Sequence, residues 1–276
     1  MLYNIIYYNK RGLIMIEKKI NYCWFGGNPK SEIIQKCIES WKKYCPDYEI
    51  IEWNESNFDI NICEYTKEAY KNKKWAFVSD FARLWIIYNN GGIYLDTDVE
   101  LFSPLDELLK YDAWFASEDI RSVNTGMGFG AERNNVLLKN MLDDYYNRIF
   151  DMTPCTILNT QILLNTVKDF KRTYDNQVID NIMFLSSHGY AEYAKHYYSF
   201  SWGNEEDRIK HEIKKKKSKL WKWKLQCKLR NPKLVDYAEN NKNKLISRLY
   251  IFLVYDLIDY GFMHYISRIF NRREIK

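Results

Sequence analysis

At 276 residues, 46% of them hydrophobic, the chain has ample length for a proper core in one large domain or two small ones. Its net charge of +5 hides an uneven distribution: residues 210–276 hold 18 Lys and Arg against 6 Asp and Glu, leaving 23 against 30 in residues 1–209. The six cysteines form no CxxC pair and no framework spacing, which excludes a disulfide-stapled scaffold and points to reduced, mostly buried thiols.

Met1 to Ile16 lacks a basic segment followed by an uninterrupted apolar stretch and a small-residue cleavage site, so no secretory leader is read there. Translation from Met15 would still supply the first convincing strand, and residues 1–16 are expected to be dispensable. Ile20 to Phe25 is that strand, closed by Gly26-Gly27. Ser31 is expected to cap a helix whose apolar stripe is Ile33, Ile34, Cys37, Ile38 and Trp41. Pro46-Asp47 turns the chain into a second strand, Tyr48 to Trp53, completing a β-α-β unit. Trp75 to Asn89 reads as a helix with Phe77, Phe81, Leu84, Trp85 and Tyr88 on its core face, ended by Asn90-Gly91-Gly92. A short helix follows around Leu105 to Lys110, then strands at Ala113 to Ala116 and Met127 to Ala131 and a helix from Val136 to Phe150. This alternation predicts an α/β domain with a largely parallel sheet, whose ligands sit beyond the carboxyl ends of the strands.

The chemistry concentrates in Ile93-Tyr94-Leu95-Asp96-Thr97-Asp98-Val99. Alternation along an extended strand would put Asp96 and Asp98 on one side. Like charges that close repel, and oxygen ligands so placed suit Mg²⁺ or Mn²⁺. A polar turn with two solvated acids is the plainer alternative. Asp80 and Arg83, at i and i+3 on the preceding helix, read either as an ion pair worth a few tenths of a kcal/mol or as a carboxylate and a guanidinium aimed at a ligand's hydroxyls and phosphate. Aromatic residues make up 17% of the chain, including 23 Tyr and 9 Trp, which suits stacking on sugars and bases although most must fill the core.

Three ordered blocks, Ile20-Asn21-Tyr22-Cys23-Trp24-Phe25-Gly26-Gly27, Val78-Ser79-Asp80-Phe81-Ala82-Arg83 and Gly91-Gly92-Ile93-Tyr94-Leu95-Asp96-Thr97-Asp98, together resemble glycosyltransferase family 32. They are more distantly similar to the glucosyltransferase domains of large clostridial toxins. The resemblance covers roughly residues 17–205 and implies a GT-A fold, Rossmann-like in its nucleotide-sugar binding, over residues 17–209. It also implies a retaining, metal-dependent transfer from a nucleotide sugar to a glycan or lipid-linked acceptor in surface polysaccharide synthesis. By that resemblance Trp24 stacks on the donor base, Asp80 and Arg83 hold donor-sugar hydroxyls, Asp96 binds ribose or sugar hydroxyls, and Asp98 ligates Mn²⁺ or Mg²⁺. A UDP-sugar is expected as the donor in preference to GDP-mannose. Tyr193-Ala194-Lys195-His196 and Ser201-Trp202 resemble the family's later elements, so that His196 or Ser201 completes the metal shell and Trp202 donates to the β-phosphate. His188 is the weaker alternative.

The chain also departs from the family pattern. Glu17 stands where a proline is common, and Thr153-Pro154-Cys155-Thr156 matches the Gly-Pro element only loosely. Asn124-Thr125-Gly126 reads either as an acceptor-side element or as a simple turn. Gln161, Glu118 and Asp119 stay unranked as groups for the sugar's β face. A rival reading is a haloacid-dehalogenase-type phosphatase with Asp96 as nucleophile, Asp98 as acid/base and Asp143-Asp144 as a further metal-binding pair. That motif normally follows the first strand, whereas here a β-α-β unit precedes it.

Residues 210–276 read as an amphipathic helical extension. Lys214 to Lys217 and Trp221-Lys222-Trp223-Lys224 combine phosphate attraction with interfacial aromatics, and Leu245 to Ile266 is too charged for a membrane span. A non-catalytic membrane or nucleic-acid binder would explain this tail but not the acidic pair, so the tail is expected to locate a cytoplasmic enzyme peripherally on the inner membrane face. Anionic lipids attract about 1 kcal/mol per nearby Lys or Arg. Replacing Lys214 to Lys217 by Ser is therefore expected to abolish pelleting with anionic vesicles at low salt, with nucleotide-sugar hydrolysis retained.

Overall fold

The computed structural model describes residues 16–198 apart from 119–121, 152, 172 and 174. The extension at 210–276, together with Ser201, Trp202 and Asp119, lies outside the described residues. Strands β1 (Lys19–Cys23), β2 (Glu49–Trp53), β3 (Gly92–Tyr94), β5 (Ala113–Ala116), β6 (Phe129–Ala131), β7 (Gln177–Ile179) and β8 (Ile182–Leu185) form one sheet in the order β2-β1-β3-β6-β5-β8-β7. β2, β1, β3, β5 and β8 share one direction, while β6 and β7 oppose it. A separate antiparallel pair joins β4 (Val99–Leu101) to β9 (Ala194–His196). The result is a mixed α/β fold with a largely parallel sheet, as the alternation of strands and helices predicts.

The central strands β3, β6 and β5 are buried on both faces, as their continuous apolar runs require. Tyr94, Phe115 and Phe129 point to one core, and Ile93, Leu95 and Trp114 to the other. The first core is covered by α2 (Glu64–Lys71), α3 (Trp75–Asn90), α4 (Val136–Tyr146) and α5 (Cys155–Thr166). The second is covered by α1 (Glu32–Tyr44), the 3₁₀ turn Asp106–Leu108 and β4. Ile16 is fully buried in this second core. A short helix, α6 (Ser187–Ala191), precedes β9.

Local chemistry explains where the elements differ from the sequence-based expectations. Ser31 occupies the N-cap position of α1 with extended backbone, yet its hydroxyl makes no capping bond. α4 stops at Tyr146, four residues short of Phe150, because Asn147 turns back with its amide donating to the Asp143 carbonyl. α2 and α5 escaped the reading altogether. Pro154 immediately before Cys155 is a helix-start signal that would have found α5. Gly91 ends α3 as expected: at φ +67° its N–H donates to Ile87 O at 2.8 Å. Among the described residues the five cysteines are free, and no helix is long and apolar enough to cross a membrane.

Trp41 ties α1 to β4: it is fully buried, and its indole N–H donates to Val99 O at 2.7 Å. Trp41→Ala is expected to cost about 3–5 kcal/mol in a urea melt, the range for removing a buried aromatic side chain.

Candidate active site

The crevice lies at the carboxyl ends of β1 and β3. The two strands run parallel with Asn21 opposite Tyr94, and Leu95 N–H continues the ladder to Asn21 O. Trp24 leaves the end of β1 half-buried, its indole N–H donating to Asn28 O at 2.7 Å and Lys30 Nζ 5.5 Å from its ring. Gly26 and Gly27 then turn the chain at φ +84° and +64°. A Cβ on Gly26 would meet the Trp75 ring at 2.6 Å, so glycine is required there on two counts.

β3 ends at Tyr94, and Asp96 and Asp98 lie in a turn rather than on an extended strand. Val99 N–H closes that turn onto Asp96 O at 3.0 Å. The expected strand alternation is thus corrected, but the two carboxylates still converge. β4 pairs with β9 so that Val99 faces His196, and Tyr197 N–H extends the ladder to Asp98 O at 3.0 Å. This places His196 Nε2 3.0 Å from Asp98 Oδ1. Asp96, Asp98 and His196 each offer a ligand atom, all within 4.8 Å of one another. His196 Nδ1 is buried and has no hydrogen-bond partner among the described residues. Two carboxylates and an imidazole fit Mn²⁺ or Mg²⁺. Burial works against protonated His196, but the Asp98 hydrogen bond and the charges of Asp98 and Asp96 outweigh it and raise the imidazole's pKa.

Beside this trio stands a buried ionic cluster. Arg83 Nη2 lies 2.9 Å from Asp80 Oδ1 and 3.3 Å from Asp96 Oδ1, and its Nε donates to Ser79 O. Arg83 is only 3% exposed and Asp80 only 6%. Tyr94 supports the guanidinium with its ring and donates its hydroxyl to Asp96 Oδ1 at 2.9 Å. Burial raises the Asp80 carboxyl to about 6, with Arg83 opposing and Asp96 reinforcing the shift. Burial likewise raises Asp96, again against Arg83 and with Asp98 adding to it. The ion-pair alternative for Asp80 and Arg83 and their place in the crevice are therefore the same observation.

The remaining candidates divide clearly. Asn124-Thr125-Gly126 lies against Asp96: Asp96 N–H donates to Gly126 O, and Gly126 N–H to Asn124 Oδ1. Glu118 is exposed and accepts from Asn124 Nδ2 at 3.1 Å, while exposed Gln161 donates to Asn165 on its own helix. His188 is exposed on α6 and does not belong to the ligand trio. Asp143 pairs with Lys139 on α4 and Asp144 with Arg148 just beyond it, and neither belongs to the ligand trio. Cys155 was missed as part of this region; it begins α5, with its Sγ 4.0 Å from Thr125 Oγ1.

Gly126 has no room for a side chain, since a Cβ would meet Asp96 Oδ2 at 2.4 Å, Arg83 Nη1 at 2.9 Å and Asn124 Oδ1 at 3.0 Å. Those atoms are held by one another and cannot swing aside freely. Gly126→Ala is expected to lower stability by about 1–3 kcal/mol in a chemical melt, as overpacking does.

Residues 31–115 match the family described as "Glycosyltransferase sugar-binding region containing DXD motif". Inositol phosphoceramide mannosyltransferase 3 of Schizosaccharomyces pombe is 30% identical over 126 residues, covering 41% of this chain and 33% of the relative. The chain thus spans about a third of the length of that curated relative. The solved structure titled PaToxG Glycosyltransferase aligns with a TM-score of 0.40 and 19% identity, over 55% of this chain and 70% of its own. The stretch matched by the family, residues 31–115, contains the Asp80–Arg83 pair and the Asp96–Asp98 turn, so both lie in a region similar to a DXD-containing glycosyltransferase sugar-binding region.

Proposed function

We propose that this protein transfers a hexose from a nucleotide sugar, a UDP-sugar in preference to GDP-mannose, to a hydroxyl of a glycan or lipid-linked saccharide with retention of anomeric configuration. The observation that carries this reading is the convergence of Asp96, Asp98 and His196 within 4.8 Å beside the buried Arg83–Asp80 pair. The mannosyltransferase activity in the relative's name supports hexosyl transfer.

On this reading Asp98 and His196 hold Mn²⁺ or Mg²⁺, with Ser201 as a further ligand from outside the described residues. When bound, the cation neutralises the donor's diphosphate and eases its departure. Trp24 stacks on the base at the end of β1, and Trp202 donates to the β-phosphate. Asp80, Arg83 and Asp96 orient the sugar and ribose hydroxyls, with the guanidinium held rigidly enough to act without reorganising. The basic segment 210–276, net +12, brings the crevice to an acceptor at an anionic membrane surface on the cytoplasmic side.

The test is a hydrolysis screen of UDP-sugars and GDP-mannose with Mn²⁺, with the anomer of the transferred sugar read by NMR. Asp98→Asn is expected to lower kcat at least about a hundredfold, the scale of losing one electrostatic stabiliser, with unchanged far-UV circular dichroism. Full turnover in excess chelator overturns the metal-dependent reading, and an inverted product overturns retention.

A further inference from the structure

The ligand trio depends on a strand that the main sheet does not hold. β9 supplies His196, and its partner among the described strands is β4, over three residue pairs. A two-stranded pair is marginally stable by itself, and a slip of one residue would turn His196 outward and Lys195 inward. A metal-binding histidine is usually oriented by a hydrogen bond at its second ring nitrogen. His196 lacks one among the described residues: Nε2 meets Asp98 Oδ1, and Nδ1 has no partner. The direction of the imidazole therefore falls to the strand that carries it and to the Tyr198 ring, whose centroid lies 4.1 Å away.

The pair is fastened from outside. α1 takes two backbone groups of β4: the Trp41 indole N–H donates to Val99 O at 2.7 Å, and Ser40 Oγ accepts from Leu101 N–H at 2.9 Å. Between these two buried residues, Glu100 turns its side chain to the other face of the pair. Its Oε1 lies 2.8 Å from Lys36 Nζ on α1, and its Oε2 accepts from the Tyr197 hydroxyl. Tyr197 follows His196 directly, and its N–H closes the ladder on Asp98 O at 3.0 Å. Lys195, on the other side of His196, places Nζ 4.5 Å from the centroid of the Tyr197 ring. Both neighbours of His196 are thereby engaged on the outer face, opposite the imidazole. The Tyr197–Glu100 bond is charge-assisted, and with the Glu100 side chain only 13% exposed, water competes little for it.

Resting on the metal-dependent transferase reading, we infer that Tyr197 and Glu100 are positioning residues whose hydrogen bond fixes the register of β9 on β4 and so presents His196 to the cation. The latch uses no atom of the trio itself. It acts on cation affinity through the strand.

The test uses the full chain with Mn²⁺ alone, free and bound Mn²⁺ being read by electron paramagnetic resonance. Tyr197→Phe keeps the ring and removes the hydroxyl, whereas Glu100→Gln keeps an oxygen that can accept from it. Tyr197→Phe is expected to weaken Mn²⁺ binding about tenfold, the lower end for losing a group that orients a metal ligand. Glu100→Gln is expected to weaken it less than about threefold. Glu100→Ala matches Tyr197→Phe, and the double variant loses no more than either. In a His196→Ala background, which leaves both carboxylates, Tyr197→Phe changes Mn²⁺ affinity less than about twofold. Unchanged affinity in the starting background, or the same loss with and without His196, overturns the inference. A metal-free readout is amide hydrogen exchange. Tyr197→Phe is expected to speed exchange across residues 194–197 about tenfold, while the Leu95 amide, bonded to Asn21 O, keeps its rate. Unchanged exchange across 194–197 overturns the latch. If the starting chain binds no Mn²⁺, the metal reading fails by itself, and the exchange measurement still decides the latch.

Discussion

Arg83 is a permanent charge held almost wholly out of water, and the crevice is organised around that constraint. Removing a guanidinium from solvent costs several kcal/mol, and the cost is met only when carboxylates and a full set of hydrogen-bond acceptors surround it. Asp80, Asp96, Ser79 O and the Tyr94 ring provide that surround. Each comes from a different requirement of the fold: α3 supplies Ser79 and Asp80, and the exit of β3 supplies Tyr94 and Asp96. A cluster of this kind adds little net stability, but it tolerates few alternative arrangements. It therefore specifies the orientation of its carboxylates more strongly than it holds the domain together.

The turn at Asp96–Asp98 exploits this rigidity. Asp96 faces the guanidinium, whereas Asp98, two residues on, faces His196. Two acids of the same short motif thus have different electrostatic environments, one beside a buried cation and the other beside an imidazole. Had the segment stayed extended, both side chains would have shared one side of the strand.

Much of this was legible in the amino-acid order. The β-α-β unit at the start, the long helix ending at Gly91 and the strand at Ala113 to Ala116 follow from apolar periodicity and glycine placement. The Asp80–Arg83 and Asp96–Asp98 pairs stood out because charged residues interrupt otherwise apolar stretches. What could not be read was carried by long-range pairing. Nothing local in Ala194-Lys195-His196 says that it forms a strand against Val99–Leu101, and nothing local distinguishes a three-residue strand running into a turn from a seven-residue strand.

The ladder between β4 and β9 has a bearing on how the crevice comes into being. His196 and Asp98 are 98 positions apart, and their meeting depends on that two-stranded pairing. Closing so long a loop is entropically slow compared with forming the helices and the first β-α-β unit. During synthesis, the acidic turn would leave the ribosome well before its imidazole partner existed. Residues 31–115, the part that carries the recognisable motif, thus contain both acids but not the histidine. The shortest piece that a sequence comparison detects is therefore smaller than the shortest piece that can complete the trio, and assembly of the trio is a late event set by the far end of the described fold.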